Sequence, residues 1–154
     1  MFGIIKVILL NEEYIDELVE LEKKCFSDPW TATMFVGDLQ SEQTCYFGAF
    51  DENDNLVGYA GMWMSVDEGQ ITNVAIHPDY RRKGIAYSLV VNLIQICRRN
   101  KLSSITLEVR ESNINAISLY EKLEFEKVGL RKNYYKNPNE NALLMTKTFV
   151  ERTD

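Results

Sequence analysis

The stretch Val74-Ala-Ile-His-Pro-Asp-Tyr-Arg-Arg-Lys-Gly-Ile-Ala86 runs from an apolar segment through a basic loop into apolar residues at helical spacing. This pattern predicts a strand, a loop and a helix in that order. Backbone N–H groups in the first turn of a helix have no internal partner, and the helix dipole is positive there. Gly84 lets a ligand approach the backbone closely, and the basic residues 81–83 add charge. We therefore predict a pyrophosphate site in the turn at residues 82–87.

A second interpretation fits the same loop. It is not a Walker loop, which needs Gly-Lys-Ser/Thr after a longer glycine-spaced turn, and it lacks the three glycines of the dinucleotide fingerprint. An ordinary capped helix behind a solvated basic loop fits residues 81–86 as well as an anion site does. Motifs elsewhere in the chain distinguish between these two interpretations.

Periodicity predicts regular elements on both sides of this stretch. Strands are predicted at residues 4–10, 44–50, 56–66, 70–76, 105–109, 125–133 and 142–149, and helices at 14–25, 31–39, 84–100 and 113–123. Antiparallel strands come first, followed by alternating strands and helices, and the chain has no linker rich in Pro, Gly or Ser. We expect one α/β domain over residues 1–154, with a mixed, mostly antiparallel sheet of six to seven strands and about four helices on both faces.

The composition fits a small globular domain. The chain has 154 residues, of which 45% are hydrophobic, and its three cysteines are too few and too irregularly spaced for a disulfide framework or a zinc site. We expect no metal, and free cysteines favour the cytoplasm. No segment of about 20 apolar residues is present, so we expect no membrane span. Residues 1–10 lack the basic start and cleavage site of a signal peptide.

The charge is distributed unevenly along the chain. Residues 1–68 carry 14 acidic and 3 basic side chains, a net of −11, whereas residues 69–154 carry 9 acidic and 14 basic, a net of +5. The overall net charge of −6 argues against direct nucleic-acid binding, which usually needs a basic domain. We expect the second half to hold any anionic ligand and the first half to favour a basic acceptor.

The segment Arg-Arg-Lys-Gly-Ile-Ala at 81–86 resembles the Arg/Gln-x-x-Gly-x-Gly/Ala acetyl-CoA motif of the GNAT acetyltransferases. The resemblance implies acetyl-CoA as co-substrate, with loop amides on the pyrophosphate and the backbone of the preceding strand on the pantetheine arm. Pantetheine contains two amides, so an interrupted strand edge can bind it as a pseudo-strand. The residues implied for cofactor binding in this region are Val74, Ala75, Ile76, Arg82, Lys83, Gly84, Ile85, Ala86 and Tyr87.

Further motifs resemble one branch of that family, the RimI-type acetyltransferases that modify the N-terminal alanine of ribosomal proteins. They are Phe26-Ser-Asp-Pro-Trp30, the run Leu107-Glu-Val-Arg-Glu-Ser-Asn-Ile-Asn-Ala-Ile-Ser-Leu-Tyr-Glu-Lys-Leu-Glu-Phe125, and Arg131-Lys-Asn-Tyr-Tyr135. The resemblance implies Glu108 as general base, Tyr120 as general acid and Asn113 as a cofactor contact. The chain departs from the family pattern at Glu124, where glycine is usual, and it has the common variant Ala86 at the last position of the cofactor motif.

The same residues suit acetyl transfer on chemical grounds that do not depend on the family resemblance. Asn113 and Tyr120 are seven positions apart, about two helical turns, and so share one helix face. Acyl transfer from a thioester to an amine requires one proton to leave the ammonium and one to reach the thiolate. An α-amine has a pKa of about 7.7–8.0, so a carboxylate such as Glu108, working through a water, suffices as base. A phenol is protonated at neutral pH and can donate to the thiolate.

Structural roles are open for each of these residues. Tyr120 is flanked by apolar residues and fits a packing role, Glu108 fits a solvated strand face, and Asn113 fits a helix N-cap. His77, before a proline, fits a turn better than a base, and the cysteines fit the core rather than a nucleophile. The residues at 134 and 135 are tyrosines that could line a peptide groove.

The expected function is transfer of acetyl from acetyl-CoA to the N-terminal α-amine of a protein, with a small-subunit ribosomal protein that begins with alanine as the favoured acceptor. Two alternatives stay open. One is an acetyltransferase for a small amine or a lysine side chain, since the cofactor motif is shared across the family. The other is a non-catalytic acyl-CoA sensor, against which the presence of both Glu108 and Tyr120 argues.

Overall fold

The computed structural model describes residues 3–149, and within them one mixed sheet has seven strands. The strands are β1 (Lys6–Leu9), β2 (Thr44–Phe50), β3 (Leu56–Met64), β4 (Glu68–Ile76), β5 (Ser104–Arg110), β6 (Glu126–Tyr135) and β7 (Glu140–Thr148). Their order across the sheet is β1-β2-β3-β4-β5-β7-β6, and every neighbouring pair is antiparallel except β4 and β5. The predicted fold class is confirmed.

Helices cover both faces of the sheet, as predicted. They are α1 (Ile15–Cys25), α2 (Ala32–Leu39), α3 (Ile85–Arg99) and α4 (Ile114–Lys122). The core between the sheet and α1 and α2 is built around Leu18, Phe35, Tyr46 and Tyr59, each at most 1% exposed. The core on the other face is larger and contains the apolar side of α3 together with Ile117 and Tyr120 of α4.

Local polar contacts set the bounds of several elements. Thr31 caps α2 by accepting a hydrogen bond from the Met34 N–H. The strand predicted over 56–66 ends at Met64, because the Ser65 hydroxyl accepts a hydrogen bond from the Glu68 N–H at 3.1 Å and closes a turn. The next strand therefore begins at Glu68, two residues before the predicted start.

The sheet is split where β4 and β5 meet. These two strands pair only from Glu68–Gln70 to Ser104–Thr106, and the ladder ends there. On its other edge β4 pairs with β3 as far as Ile76, so residues 71–76 have one paired edge and one open edge. An open strand edge presents backbone N–H and C=O groups that need partners.

A β-bulge lies at the start of this open segment. Gly61 pairs with Asn73 and Met62 with Ile71, which leaves Thr72 as an extra residue in β4. A bulge bends its strand and increases the local twist. The bulge thus accompanies the separation of β4 from β5 and helps to form the cleft described below. No helix within residues 3–149 is long and apolar enough to span a bilayer.

Candidate active site

A cleft of about 1340 Å³ lies between the open part of β4, the start of α3, the end of β5 and one face of α4. Every residue that the sequence predicts for the site lines this cleft. The predicted residues are Val74, Ala75, Ile76, Arg82, Lys83, Gly84, Ile85, Ala86, Tyr87, Glu108, Asn113 and Tyr120. The structure thus brings the two halves of the predicted site together from four separate elements.

The loop before α3 has the geometry of an anion-binding turn. Arg82 and Gly84 are both left-handed, with φ of 63° and 78°. Gly84 is the N-cap of α3 and provides no side-chain capping bond, so the first N–H groups of the helix have no helical acceptor. The residues that carry them line the cleft. An added Cβ at Gly84 would meet nothing within 4 Å, which shows open space at the backbone. Successive N–H groups beside left-handed residues form a concave site that suits phosphate oxygens.

The basic side chains of this loop are not equivalent. The Lys83 ammonium donates to the Asp79 carbonyl at 2.9 Å and lies 5.2 Å from the centre of the Tyr80 ring. The Arg81 guanidinium donates from Nε to the Ile76 carbonyl at 3.1 Å. Both side chains therefore maintain the shape of the loop in addition to its positive charge. Arg82 is exposed beside them.

Glu108 lies at the cleft because of the alternation along β5. Leu107 and Val109 are buried in the core beneath α3 and α4, so Glu108 points to the opposite face of the sheet. Its carboxylate is 10% exposed and lies 3.6 Å from Nε of Arg131, whose side chain is 55% exposed. The Tyr134 hydroxyl also donates to this carboxylate, which raises the pKa of Tyr134. Glu108 is thus a nearly buried carboxylate in a polar setting.

Tyr120 combines a packing role with a place in the cleft. Its ring is 6% exposed and packs against Phe125 with ring centres 5.7 Å apart. Burial, with a smaller contribution from Tyr135, raises the pKa of Tyr120 to about 12. Its hydroxyl has no hydrogen-bond partner among residues 3–149. A protonated donor without an internal acceptor therefore lies in the wall of the cleft.

Asn113 is the N-cap of α4, as one interpretation of the sequence predicted. Its Oδ1 accepts a hydrogen bond from the Ala116 N–H at 3.2 Å. Asn113 also lines the cleft with Tyr120 from the same helix, so the seven-residue spacing has the predicted geometric effect. Its side-chain oxygen has a structural task, which leaves the amide nitrogen as the group available to a ligand.

Tyr135, which the sequence offered as a groove residue together with Tyr134, lines the cleft, whereas Tyr134 does not. Cys25, which the sequence assigned to the core, lines the cleft as well. Burial raises the pKa of Tyr135 to about 12, and the Glu108 carboxylate contributes to that shift. Burial likewise raises the pKa of Cys25, whose thiol donates to the Ile76 carbonyl at 3.3 Å. The motif at residues 131–135 gave a signal for Tyr135, whereas no signal marked Cys25.

The remaining candidates behave as the structural interpretations predicted. His77 Nδ1 accepts a hydrogen bond from the Asp79 N–H at 3.0 Å and forms the turn before the basic loop. Burial raises the pKa of Cys45 and of Cys97 to about 11, which disfavours a thiolate nucleophile. Among the described residues no group of three metal-ligating side chains comes together.

The fold and the cleft are those of an acetyltransferase. The model of the Acetyltransferase (GNAT) family matches residues 15–125, and the chain belongs to that family. The resemblance stated from the sequence is confirmed, and membership supports acetyl-CoA as the co-substrate.

Individual relatives have names that are more specific than the name of the family. The chain is 36% identical over 139 residues to a Bacillus subtilis (strain 168) protein with the provisional name ribosomal protein bS18-alanine N-acetyltransferase, covering 90% of this chain and 92% of that protein. It is 32% identical over 127 residues to the ribosomal protein bS18-alanine N-acetyltransferase of Escherichia coli (strain K12), covering 81% and 84%.

Solved structures of acetyltransferases share the fold of this chain. The crystal structure of the ribosomal-protein-S18-alanine N-acetyltransferase from Escherichia coli superimposes with a TM-score of 0.88 at 27% identity, covering 98% of this chain and 97% of that chain. Arabidopsis thaliana NAA60 in complex with acetyl-CoA shares the fold, with a TM-score of 0.83 at 16% identity, covering 94% and 98%.

Proposed function

We propose that this chain transfers the acetyl group of acetyl-CoA to the N-terminal α-amine of a protein, and that its acceptor is the N-terminal alanine of ribosomal protein bS18. The observation that carries the proposal is the convergence of Glu108, Tyr120 and the start of α3 on one cleft. The names of the relatives in Bacillus subtilis and Escherichia coli support the acceptor.

The chain's own residues fit acetyl-CoA. The N–H groups of Ile85, Ala86 and Tyr87 at the start of α3 are available to the pyrophosphate, with Gly84 open beside them and Arg82 and Lys83 adding charge. The open edge of Val74, Ala75 and Ile76 offers backbone groups to the pantetheine amides. The Ile76 carbonyl is the exception, because it already accepts from Arg81 and Cys25. Asn113 offers its amide nitrogen from the opposite wall.

Glu108 is assigned the role of general base. The acceptor arrives as an ammonium, and its pKa of about 8 means that the base has to remove only one loosely held proton. The carboxylate lies at the cleft, nearly buried, and can take that proton directly or through a water. Its negative charge also attracts the ammonium into the site.

Tyr120 is assigned the role of general acid. With a pKa raised to about 12, its hydroxyl stays protonated throughout the neutral range. It has no internal acceptor among residues 3–149, so its proton is free to be donated to the departing sulfur. Glu108 and Tyr120 thus divide the two proton movements of the reaction between them.

The acceptor is expected to be basic. The net charge of −11 over residues 1–68 attracts the positively charged body of a ribosomal protein, and this attraction weakens with salt. No nucleic acid is required as a partner, and modification of a ribosomal protein places the reaction in the cytoplasm. An acceptor KM that does not change with ionic strength would contradict the charge argument.

Thiol release measures the proposed activity directly. The full chain is incubated with acetyl-CoA and a peptide that carries the N-terminal residues of bS18 beginning with alanine. Two further reactions use other acceptors. One contains the same peptide with a blocked N-terminus and one internal lysine, and the other contains a polyamine. We expect release above background only with the free N-terminus. Release with the lysine or polyamine arm alone identifies a different acceptor, and no release with any arm contradicts the enzyme assignment.

A further inference from the structure

Arg110, at the end of β5, holds the hairpin between β6 and β7 through several contacts. Its guanidinium donates to the carbonyl oxygens of Pro138 at 3.0 Å and Lys136 at 3.1 Å. It donates to Glu140 Oε1 at 3.3 Å and stacks over the Tyr135 ring at 4.5 Å from the ring centre. One planar side chain thus fixes both the backbone of the hairpin turn and the aromatic ring beside it.

Arg110 itself lines the cleft, and so does the Tyr135 ring on which it stacks. Tyr135 lies there with Glu108 and Tyr120. The charge of Glu108 raises its pKa, and Tyr135 in turn raises the pKa of Tyr120, so the three groups are close enough to interact electrostatically. A shift of the Tyr135 ring would therefore alter the surroundings of both residues that are assigned to proton transfer.

A second link connects the same hairpin to α4. Glu140 accepts a hydrogen bond from the Ser112 N–H at 2.6 Å through Oε2, while its Oε1 accepts from Arg110. These contacts lower the pKa of Glu140 and keep it charged. Ser112 directly precedes Asn113, the N-cap of α4. Arg110 and Glu140 together join the end of β5, the hairpin and the start of α4.

We propose that Arg110 is a positioning residue of the acetyl transfer, which holds Tyr135 and the β6–β7 hairpin as the acceptor-side wall of the cleft. The proposal rests on the proposed function. Arg110 lies two residues beyond Glu108 on an alternating strand, and so it shares the face on which Glu108 meets the cleft. Lysine cannot replace the guanidinium here, because an ammonium has neither the flat face for the ring nor the fork for several carbonyl oxygens.

The test is the variant Arg110→Lys, with Arg98→Lys as its matched control. Arg98 stacks over the Phe149 ring at 4.7 Å, and it does not line the cleft. Both variants keep the charge and lose the same kind of stacking. Wild type and both variants are assayed with acetyl-CoA and the alanine peptide, KM is measured separately for each substrate, and thermal unfolding is followed by circular dichroism.

We expect Arg110→Lys to lower kcat/KM for the peptide about tenfold or more and to leave KM for acetyl-CoA within about twofold of wild type. Arg98→Lys should leave both within about twofold. Glu140→Gln weakens the same contacts at their acceptor end and should also lower kcat/KM for the peptide. This variant replaces Arg110→Lys as the test if Arg110→Lys does not fold.

Two results overturn the proposal. One is a peptide kcat/KM for Arg110→Lys and Glu140→Gln equal to that of wild type. The other is a loss shared equally by Arg98→Lys, or a proportional loss of acetyl-CoA binding, which indicates a purely structural role. An inactive wild type contradicts the proposed function instead, so the two failures are distinguishable.

Discussion

Glu124 adopts a left-handed backbone, with φ of 69°, and its carboxylate lies 3.4 Å from the ammonium of Lys147. Lys147 is 10% exposed at its side chain, whereas Glu124 is 84% exposed. The residue that departs from the family's usual glycine thus pairs with a nearly buried lysine on β7. Two opposing effects meet at this position, the cost of a left-handed non-glycine residue and the benefit of a partner for Lys147.

These effects predict an order of stability. Glu124→Ala keeps the backbone cost and loses the ion pair, whereas Glu124→Gly removes the cost and loses the same pair. We expect the glycine variant to have a free energy of unfolding about 1 kcal/mol higher than the alanine variant. Urea denaturation of the two variants measures the difference. An alanine variant as stable as the glycine variant would show that the left-handed backbone carries no cost here.

Gly84 offers a parallel test at the cofactor loop. Gly84→Ala meets no steric obstacle, but the left-handed conformation costs about 1 kcal/mol in a non-glycine residue and favours a rearranged loop. We expect KM for acetyl-CoA to rise about fivefold. Gly37→Ala is the matched control, because Gly37 also has open space for a Cβ but lies inside helix α2 with ordinary backbone. Equal KM values for the two variants would argue against a role of the left-handed turn in cofactor binding.

Glu108→Gln tests the base. The amide has nearly the same shape as the carboxylate but cannot accept the proton of the ammonium, so we expect kcat to fall about a hundredfold or more. Binding of acetyl-CoA, measured by calorimetry, should be unchanged. Glu126→Gln, at the exposed start of β6, controls for the loss of one negative charge. A kcat near that of wild type would remove Glu108 from the proton path.

The raised pKa of Tyr120 predicts how kcat depends on pH. A general acid works while it is protonated, and a pKa of about 12 means that activity is lost only as the pH rises through that value. We therefore expect kcat to stay level from about pH 8 to about pH 10, where an ordinary phenol with a pKa of about 10 would already lose activity. Stopped-flow assays at constant ionic strength give the profile.

Tyr120→Phe complements the profile. We expect kcat to fall about tenfold or more, since the departing sulfur loses its donor, while acetyl-CoA affinity stays within about twofold. Unchanged turnover in this variant would leave the ring as a packing group alone.

The sequence predicts the elements well where periodicity is strong. The alternation along β5 correctly turns Glu108 away from Leu107 and Val109, and the helical spacing brings Asn113 and Tyr120 to the same cleft. These predictions depend on local geometry, which two to four neighbouring residues determine.

Other features depend on contacts between distant parts of the chain. Arg110 meets the Pro138 carbonyl 28 residues later, and no spacing rule indicates such a pair. The extra residue Thr72 follows from the pairing register of β3 and β4, which the composition of β4 alone does not specify. Lys83, predicted as a phosphate-side charge, also donates to Asp79 within its own loop.

The three-residue ladder between β4 and β5 has a consequence for the lifetime of the protein. Open backbone groups in the cleft gain partners only when the ligand is bound, so the native state becomes more stable as the ligand concentration rises above its Kd. At a ligand concentration a hundred times its Kd this linkage adds about 2.7 kcal/mol. A cell rich in acetyl-CoA would thus hold more of this protein folded and less of it open to proteolysis, which ties its abundance to the supply of its own substrate.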